Sequence, residues 1–165
     1  VRSSAASDVY KRQIESEVDM KSVNITEVVT SLLKEYIQNS KRASEQLDIR
    51  LPHGNIWILA QEKILIRILC NLIDNALKYS TGDIMFYMWG ESEYCHIQIS
   101  NPSDYISDEE LKSIFDLFYT KDEARIKSSG IGLYATRKLV IQISGDIQVN
   151  YEAGIFTVSI KLPLI

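Results

Sequence analysis

The chain has 165 residues, of which 45% are hydrophobic and 24% charged, and its formal net charge is −4 at pH 7. This composition predicts one folded domain with its own core and excludes a disordered chain. The acidic balance argues against nucleic-acid binding, and no apolar run reaches the roughly 20 residues that cross a bilayer. Cys70 and Cys95 lack metal-type spacing and form no obvious pair, so a reducing, cytosolic setting is expected.

The beginning of the chain is expected to lie outside the folded domain. Residues 1–12 are small and polar, and residues 13–21 are charged, as at the frayed end of a helix that begins upstream. We therefore expect a tail over residues 1–22, partly foreign to the native protein, and one domain over residues 23–165. Asn24 and Glu27 have the spacing of a helix N-cap and its partner, at the start of a helix that runs to about Ala43.

The remaining elements are predicted from apolar periodicity and from the turn residues that separate the runs. Runs of β-forming residues predict strands, and apolar residues every three or four positions predict helices. In chain order we expect strands at 48–51 and 56–60, a helix at 61–79, strands at 83–89 and 94–100, a loop at 101–107, a short helix at 108–115, a connection at 116–129, a helix from Ile131 to Ser144-Gly145, and strands at 147–151 and 155–162.

The order of these elements predicts the fold class. The second and third pairs of strands are separated by short turns, as in antiparallel hairpins, and hairpins outnumber crossovers. Helices that accompany such a sheet pack on one of its faces. We therefore expect an α/β fold, a two-layer α/β sandwich with a mixed, mainly antiparallel sheet and helices on one face.

The predicted helix at 61–79 has an apolar stripe and a second, polar stripe. A carboxamide oxygen is a ligand that Mg²⁺ accepts, and an ammonium group on the same stripe could neutralise phosphate. The alternative is a core helix with surface amides and one Asp74–Lys78 ion pair. The polar stripe consists of Asn71, Asn75, Lys78 and Tyr79.

Two further motifs have both a functional and a structural interpretation. Gly130-Ile131-Gly132 at a helix start would let backbone N–H groups approach an anion, although a flexible hinge is the alternative. Asn101-Pro102 follows a strand and could hydrogen-bond a base edge, although an ordinary turn is the alternative. Taken alone, each motif favours the structural interpretation.

The order of the motifs resembles the catalytic ATP-binding domain of sensor histidine kinases. That domain belongs to the wider superfamily of gyrase, heat-shock chaperone, histidine kinase and mismatch-repair ATPases, which share the Bergerat ATP-binding fold. The resemblance covers roughly residues 23–163. The motifs that carry it are Asn-x-x-x-Asn-Ala-x-Lys-Tyr-Ser at 71–80, the strand-end residue Asn101, the segment Ile114-Phe115-Asp116-Leu117-Phe118-Tyr119, and Gly130-Ile131-Gly132-Leu133.

The resemblance implies that ATP and Mg²⁺ are the cofactors. Asn75 would coordinate the metal, Asn71 would support the metal or its water shell, and Lys78 would contact phosphate, so these three form the implied catalytic set. Residues 116–129 would form a lid over ATP, with Lys121, Arg125 and Lys127 as candidate phosphate contacts. The full set of implied nucleotide-binding residues is Asn71, Asn75, Lys78, Tyr79, Asn101, Ile106, Phe115, Phe118, Ser129, Gly130, Ile131, Gly132 and Leu133.

The chain departs from the family pattern in three ways. Asn101 stands where the family usually has an aspartate that accepts a hydrogen bond from the adenine amino group, and the glycines that follow are missing. Asparagine keeps an acceptor oxygen, but a neutral acceptor is weaker. The lid end is reduced to Ser128-Ser129-Gly130. The phosphoacceptor histidine is absent, because His53 falls in a predicted turn and His96 in a predicted strand.

The implied function is to bind Mg–ATP and to donate its γ-phosphate to a histidine on a separate helical domain. Residues 13–16 resemble the end of the second dimerisation helix of that domain. The expected partners are the upstream helices and a response regulator; the chain itself is expected to be monomeric, without nucleic acid or membrane insertion. The alternatives are a degenerate, pseudokinase-like docking module or a serine kinase that inhibits a sigma factor. The gyrase and chaperone branch of the superfamily normally has a glutamate base at the position of Asn71, so its absence argues against that branch.

Overall fold

The computed structural model describes residues 20–116 and 130–165. Helices and strands follow one another there in the order of a layered α/β domain. In chain order they are β1 Lys21–Asn24, α1 Ile25–Asn39, α2 Lys41–Gln46, β2 Leu47–Arg50, β3 Trp57–Ala60, α3 Glu62–Tyr79, β4 Ile84–Glu91, β5 Tyr94–Pro102, α4 Asp108–Lys112, α5 Gly130–Gln142, β6 Asp146–Glu152 and β7 Ile155–Pro163.

Five strands form the main sheet, in the order β2-β4-β5-β7-β6. Strands β2 and β4 pair in parallel, and the other three pairings are antiparallel. The closing hairpin turns through Ala153 and Gly154, whose φ angles of 52° and 77° match the two-residue turns that follow the twist of a hairpin. The prediction of a mixed, mainly antiparallel sheet is confirmed.

The core lies between one face of this sheet and the helices. Along β5 the side chains of Cys95, Ile97 and Ile99 are buried at alternate positions, as the period of a strand requires. Helix α3 buries Leu65 and Leu69 against them, so the predicted two-layer packing is confirmed. The outward-facing side of the sheet carries polar residues such as Gln98 on β5, and the exposed Met85 and Tyr87 on β4.

The first helix is capped as predicted but ends earlier. The Asn24 side chain accepts a hydrogen bond from the Glu27 N–H at 3.3 Å. The prediction of one helix to about Ala43 is wrong, because Ser40 has an extended backbone (φ −133°, ψ 116°). Its hydroxyl accepts the Ala43 N–H at 3.1 Å and therefore caps the separate helix α2.

Strand β1 was not predicted, because the charged run of residues 13–21 that leads into it indicated a frayed helix end. It pairs antiparallel with β3 in a two-stranded sheet, with Val23 opposite Ile58. Lys21 and Ser22, which fell within the predicted tail of residues 1–22, therefore belong to the folded domain. The rest of that tail, residues 1–19, lies outside the described residues.

The buried thiol of Cys95 makes the stability of the fold depend on pH. Burial raises its pKa from 9.0 to about 12. Above pH 9 the unfolded chain loses this proton while the folded chain keeps it, so the free energy of unfolding falls as pH rises. Between pH 8 and 10 we expect Cys95→Ala to remove about 1 kcal/mol of this fall. Denaturant unfolding of both proteins at the two pH values measures it, and equal pH dependence would contradict the prediction.

Candidate functional site

A cleft opens between helix α3 and the sheet end formed by β5 and β7. Its floor is apolar, and a few polar side chains stand at its rim, which is the usual composition of a small-molecule site. Side chains from α3, β5, the segment after β5, α5 and β7 contribute to it. The lining residues are Leu72, Asn75, Ala76, Tyr79, Ile99, Asn101, Ser103, Asp104, Ile106, Ile114, Leu133, Phe156 and Val158.

Asn75 brings a carboxamide to the α3 side of the cleft. It lies on the same side of the helix as Leu72 and Ala76, and it is half-buried. Its side chain makes no hydrogen bond to another residue of the described ranges, and no buried polar side-chain atom there lacks a partner. The carboxamide oxygen of Asn75 is therefore available to a ligand in the cleft.

Asn71 lies one turn earlier on α3 and has a different environment. Its Nδ2 group donates to the Thr136 hydroxyl at 3.2 Å, and Thr136 is fully buried on α5. This bond joins the two helices that cover the sheet. Asn71 is not among the residues that line the cleft, so the polar stripe divides into a residue facing the cleft and a residue facing the neighbouring helix.

Asn101 occupies the end of the inward-facing row on β5. The strand continues beyond residue 100, because Asn101 pairs with Phe156 and Pro102 with Ile155 on β7. The predicted loop at 101–107 is therefore wrong for its first two residues. Asn101 is 4% exposed, and its Nδ2 group donates to the Pro102 carbonyl at 3.0 Å. The remaining amide atom, Oδ1, is the acceptor that Asn101 can offer to a ligand.

The end of α3 is attached to the end of β5. The Ser80 N–H donates to the Ala76 carbonyl, which closes the helix, and the next residue, Thr81, donates its N–H to the Pro102 carbonyl at 2.9 Å. The Arg42 guanidinium donates to the Ser80 carbonyl. These bonds fix the position of Tyr79 relative to Asn101 across the cleft.

Asp74, the carboxylate within the asparagine helix, faces α1 and not the cleft. The Tyr36 hydroxyl donates to its Oδ1 at 2.7 Å. Burial, followed by this bond, raises the pKa of Tyr36 far above its ordinary value. The phenol therefore stays protonated at neutral pH and keeps donating, so Asp74 has a role in joining α1 to α3.

Apart from Asn71, the residues predicted to bind nucleotide fall into four groups. Asn75, Tyr79, Asn101, Ile106 and Leu133 line the cleft. Among the others, Lys78 places Nζ 5.4 Å from the centroid of the Tyr79 ring, and Phe115 packs with its ring centroid 5.4 Å from the Arg137 guanidinium. Phe118, Ser129 and all of the predicted lid except Asp116 lie outside the described residues. Helix α5 begins at Gly130, so its first turn contains Gly130, Ile131 and Gly132.

Eight of the thirteen residues that line the cleft were not among the predicted binding residues, and four of them show why. Ser103 and Asp104 follow β5, and their position next to Asn101 in the sequence was a usable signal. Phe156 and Val158 lie opposite Asn101 and Ile99 on β7. Nothing in the local sequence identifies them, because their place in the cleft depends on the register between two strands that are about 55 residues apart.

The side chains of the cleft provide few metal ligands, so they suit a hard cation that is bound mainly by a phosphate-containing molecule and by water. Within residues 20–116 and 130–165 no cluster of three or more His, Cys, Asp or Glu residues could hold a metal ion. A single carboxamide oxygen such as that of Asn75 matches Mg²⁺, which keeps several waters and bridges phosphates. In the same ranges no helix is long and apolar enough to cross a membrane.

Comparisons with known proteins agree with this geometry. Residues 60–165 match the family described as histidine kinase-, DNA gyrase B- and HSP90-like ATPase. The sensor protein RprX of Bacteroides fragilis is 27% identical over 95% of this chain and 32% of its own length. The sensor histidine kinase YcbM of Bacillus subtilis is 27% identical over 93% of this chain and 52% of its own length. The chain thus spans about a third to a half of these relatives.

A solved structure shows the same fold. The catalytic domain of histidine kinase ThkA superimposes with a TM-score of 0.73 and 19% sequence identity, over 87% of this chain and 95% of that one. The predicted α/β sandwich of the Bergerat type is confirmed by this likeness.

Proposed function

Because the chain belongs to the family of histidine kinase-, DNA gyrase B- and HSP90-like ATPases, we propose that it is the ATP-binding catalytic domain of a two-component sensor histidine kinase. It binds Mg–ATP in the cleft between α3 and the ends of β5 and β7, and it presents the γ-phosphate to a histidine on a separate domain. The observation that carries the proposal is the placement of Asn75 and Asn101 at the rim of one apolar cleft.

The adenine base fits the apolar part of the cleft. Ile99, Ile106 and Phe156 offer a surface on which a planar base can be buried. Asn101 Oδ1 accepts a hydrogen bond from the amino group of the base, and Tyr79 stands on the opposite wall. This arrangement also argues against a degenerate docking module, because Asn101 in place of the family's aspartate still provides a hydrogen-bond acceptor, its Oδ1 atom.

The phosphates lie towards Asn75 and the beginning of α5. Asn75 would hold Mg²⁺ through its carboxamide oxygen, Asn71 would support the water shell of the metal, and Lys78 would neutralise phosphate charge. When bound, Mg²⁺ neutralises the charge that develops on the phosphate oxygens. Helix α5 begins at Gly130, and a helix N-terminus attracts anions. The lid, with Phe118 and Ser129, remains a prediction.

The chain's own residues act by positioning and electrostatics, since phosphoryl transfer needs no protein nucleophile in this domain. Neither histidine is placed to accept the phosphoryl group from the cleft. His53 is exposed between β2 and β3, and the His96 ring stacks 4.9 Å from Trp89 on the sheet face away from the helices. In this proposal the acceptor histidine lies on a separate helical domain, and a response regulator is the final recipient.

Calorimetric titration of the chain with ADP, in the presence of Mg²⁺, tests the proposal. We expect saturable one-to-one binding, and a competing titration with ATP should reach the same site. A trans-phosphorylation assay with a helical phosphoacceptor domain then tests transfer. A chain that shows a cooperative thermal transition but binds no ADP would contradict the proposed function.

A further inference from the structure

A second groove lies apart from the nucleotide cleft, between helix α1, the two-stranded sheet of β1 and β3, and the beginning of α3. The two sites share no lining residue. Helix α3 contributes Glu62 and Ile66 to the groove, whereas the cleft is lined by residues between positions 72 and 79 of the same helix. A molecule bound in the groove would therefore leave the nucleotide cleft open.

The floor of the groove is apolar and accessible to solvent. Val28 and Leu32 lie about one turn apart on α1 and are half-buried, and the exposed Ile66 of α3 joins them in the lining. Trp57 of β3 lines the same groove and is 48% exposed. Apolar side chains that are exposed together mark a surface that binds another molecule, and tryptophan is enriched among the residues that contribute most to binding.

Acidic side chains accompany this apolar floor. Glu27 and Glu35 lie about two turns apart on α1, and Glu62 lies in the first turn of α3. None of the three forms an ion pair with a residue of the described ranges, and Lys21 is the one cationic side chain of the lining. The groove therefore favours a cationic occupant. A second copy of the chain is a poor occupant, because a symmetric contact would place the glutamates of two grooves against each other.

We propose that this groove is the docking site for a basic amphipathic helix of a partner protein. The apolar stripe of that helix packs on Val28 and Leu32, since helices bind in apolar grooves through residues one turn apart. Lysine or arginine side chains beside the stripe pair with the glutamates of the groove. One of these cations lies against the exposed ring of Trp57, which attracts it through its π electrons.

The first test locates the binding site by fluorescence. The probe is a synthetic helical peptide of about 18 residues, with leucines on one face, lysines on the others and no aromatic residue. It is added to the Trp89→Phe variant, in which Trp57 is the remaining tryptophan and the substituted ring lies outside the groove. We expect a saturable blue shift of the Trp57 emission, with a Kd of about 10–100 μM that rises several-fold when salt is added. A variant that folds and shows no saturable shift would overturn the inference.

The second test changes the charge of the groove and is measured by calorimetry on the otherwise wild-type chain, so it decides even if Trp89→Phe does not fold. Glu35→Lys reverses one of the three acidic charges at an exposed position and should weaken binding of the peptide by about 5-fold or more at low salt. Glu152→Lys makes the same change at an exposed position of β6, outside the groove lining, and should change the affinity by less than about 2-fold. Equal losses in the two variants would mean that the peptide responds only to the net charge of the chain, which contradicts a docking site.

Three further outcomes separate the possible occupants. A peptide with the same leucines but with glutamates in place of the lysines should bind at least about 10-fold more weakly, and equal binding would overturn the basic partner. Sedimentation of the wild-type chain alone should show a monomer; a dimer that Glu35→Lys or Trp57→Ala dissociates would assign the groove to a second copy instead. The affinity for ADP should not change when the basic peptide is bound, because the two sites share no lining residue. A peptide that competes with ADP would lie in the cleft, and the inference would then be wrong.

Discussion

Asn75→Ala is expected to lower the affinity of the chain for Mg–ADP by about 10-fold or more. The substitution removes the carboxamide oxygen that faces the cleft and leaves the apolar floor intact. Since the proposed function assigns that oxygen to the metal, ADP titrated in the presence of EDTA should bind the variant and the wild type nearly equally. Isothermal calorimetry with and without Mg²⁺ gives the four affinities that are needed.

Two control variants separate metal coordination from a general change of the protein. Asn150→Ala alters an exposed asparagine on β6, outside the cleft lining, and should leave all four affinities unchanged. Asn71→Ala removes the bond to Thr136 and should lower stability, with a smaller effect on metal dependence. If Asn75→Ala binds ADP as tightly as the wild type when Mg²⁺ is present, the assignment of the metal ligand is wrong.

The division of the asparagine stripe marks the limit of what the sequence could predict. Helical periodicity correctly places α3 and its buried face, because that pattern is local. It also places Asn71 and Asn75 on one stripe. It cannot tell which of them faces the cleft, since that depends on where Thr136 lies, 65 residues later in the chain.

The strands show the same limit. The hairpins β4–β5 and β6–β7 are predictable, because each closes through a short turn between neighbouring runs. Strand β1 is not predictable from its own sequence, because it forms by pairing with β3. The last two residues of β5 belong to a strand because β7 continues beside them. The burial of Asn101 at the end of β5 follows from the same non-local pairing.

Gly145→Ala is expected to lower the free energy of unfolding by about 1–3 kcal/mol. A Cβ atom at this position would lie 2.7 Å from Leu162 Cδ2 and 2.9 Å from both the Lys161 carbonyl oxygen and Val140 Cγ1. The carbonyl belongs to the backbone of β7 and cannot rotate away. Chemical denaturation of the variant measures the effect, and Gly54→Ala, where nothing lies within 4 Å of the added Cβ, should change stability by less than about 0.5 kcal/mol.

The neighbouring Ser144 provides a substitution of opposite sign. The sequence predicts that α5 ends at Ser144-Gly145, and a glycine there is usually the left-handed residue of the cap. Here Ser144 has the left-handed φ of 63°; its N–H donates to the Ile141 carbonyl, and the Gly145 N–H donates to the Val140 carbonyl. We therefore expect Ser144→Gly to stabilise the chain by about 0.5–1 kcal/mol. If both substitutions were neutral, neither the tight contact with β7 nor the strain at Ser144 would be real. Gly145 is needed for its small size, because β7 packs against it, whereas Ser144 occupies the backbone conformation that glycine adopts most easily. The sequence alone does not distinguish these two requirements, because the first depends on the packing of β7 on this turn.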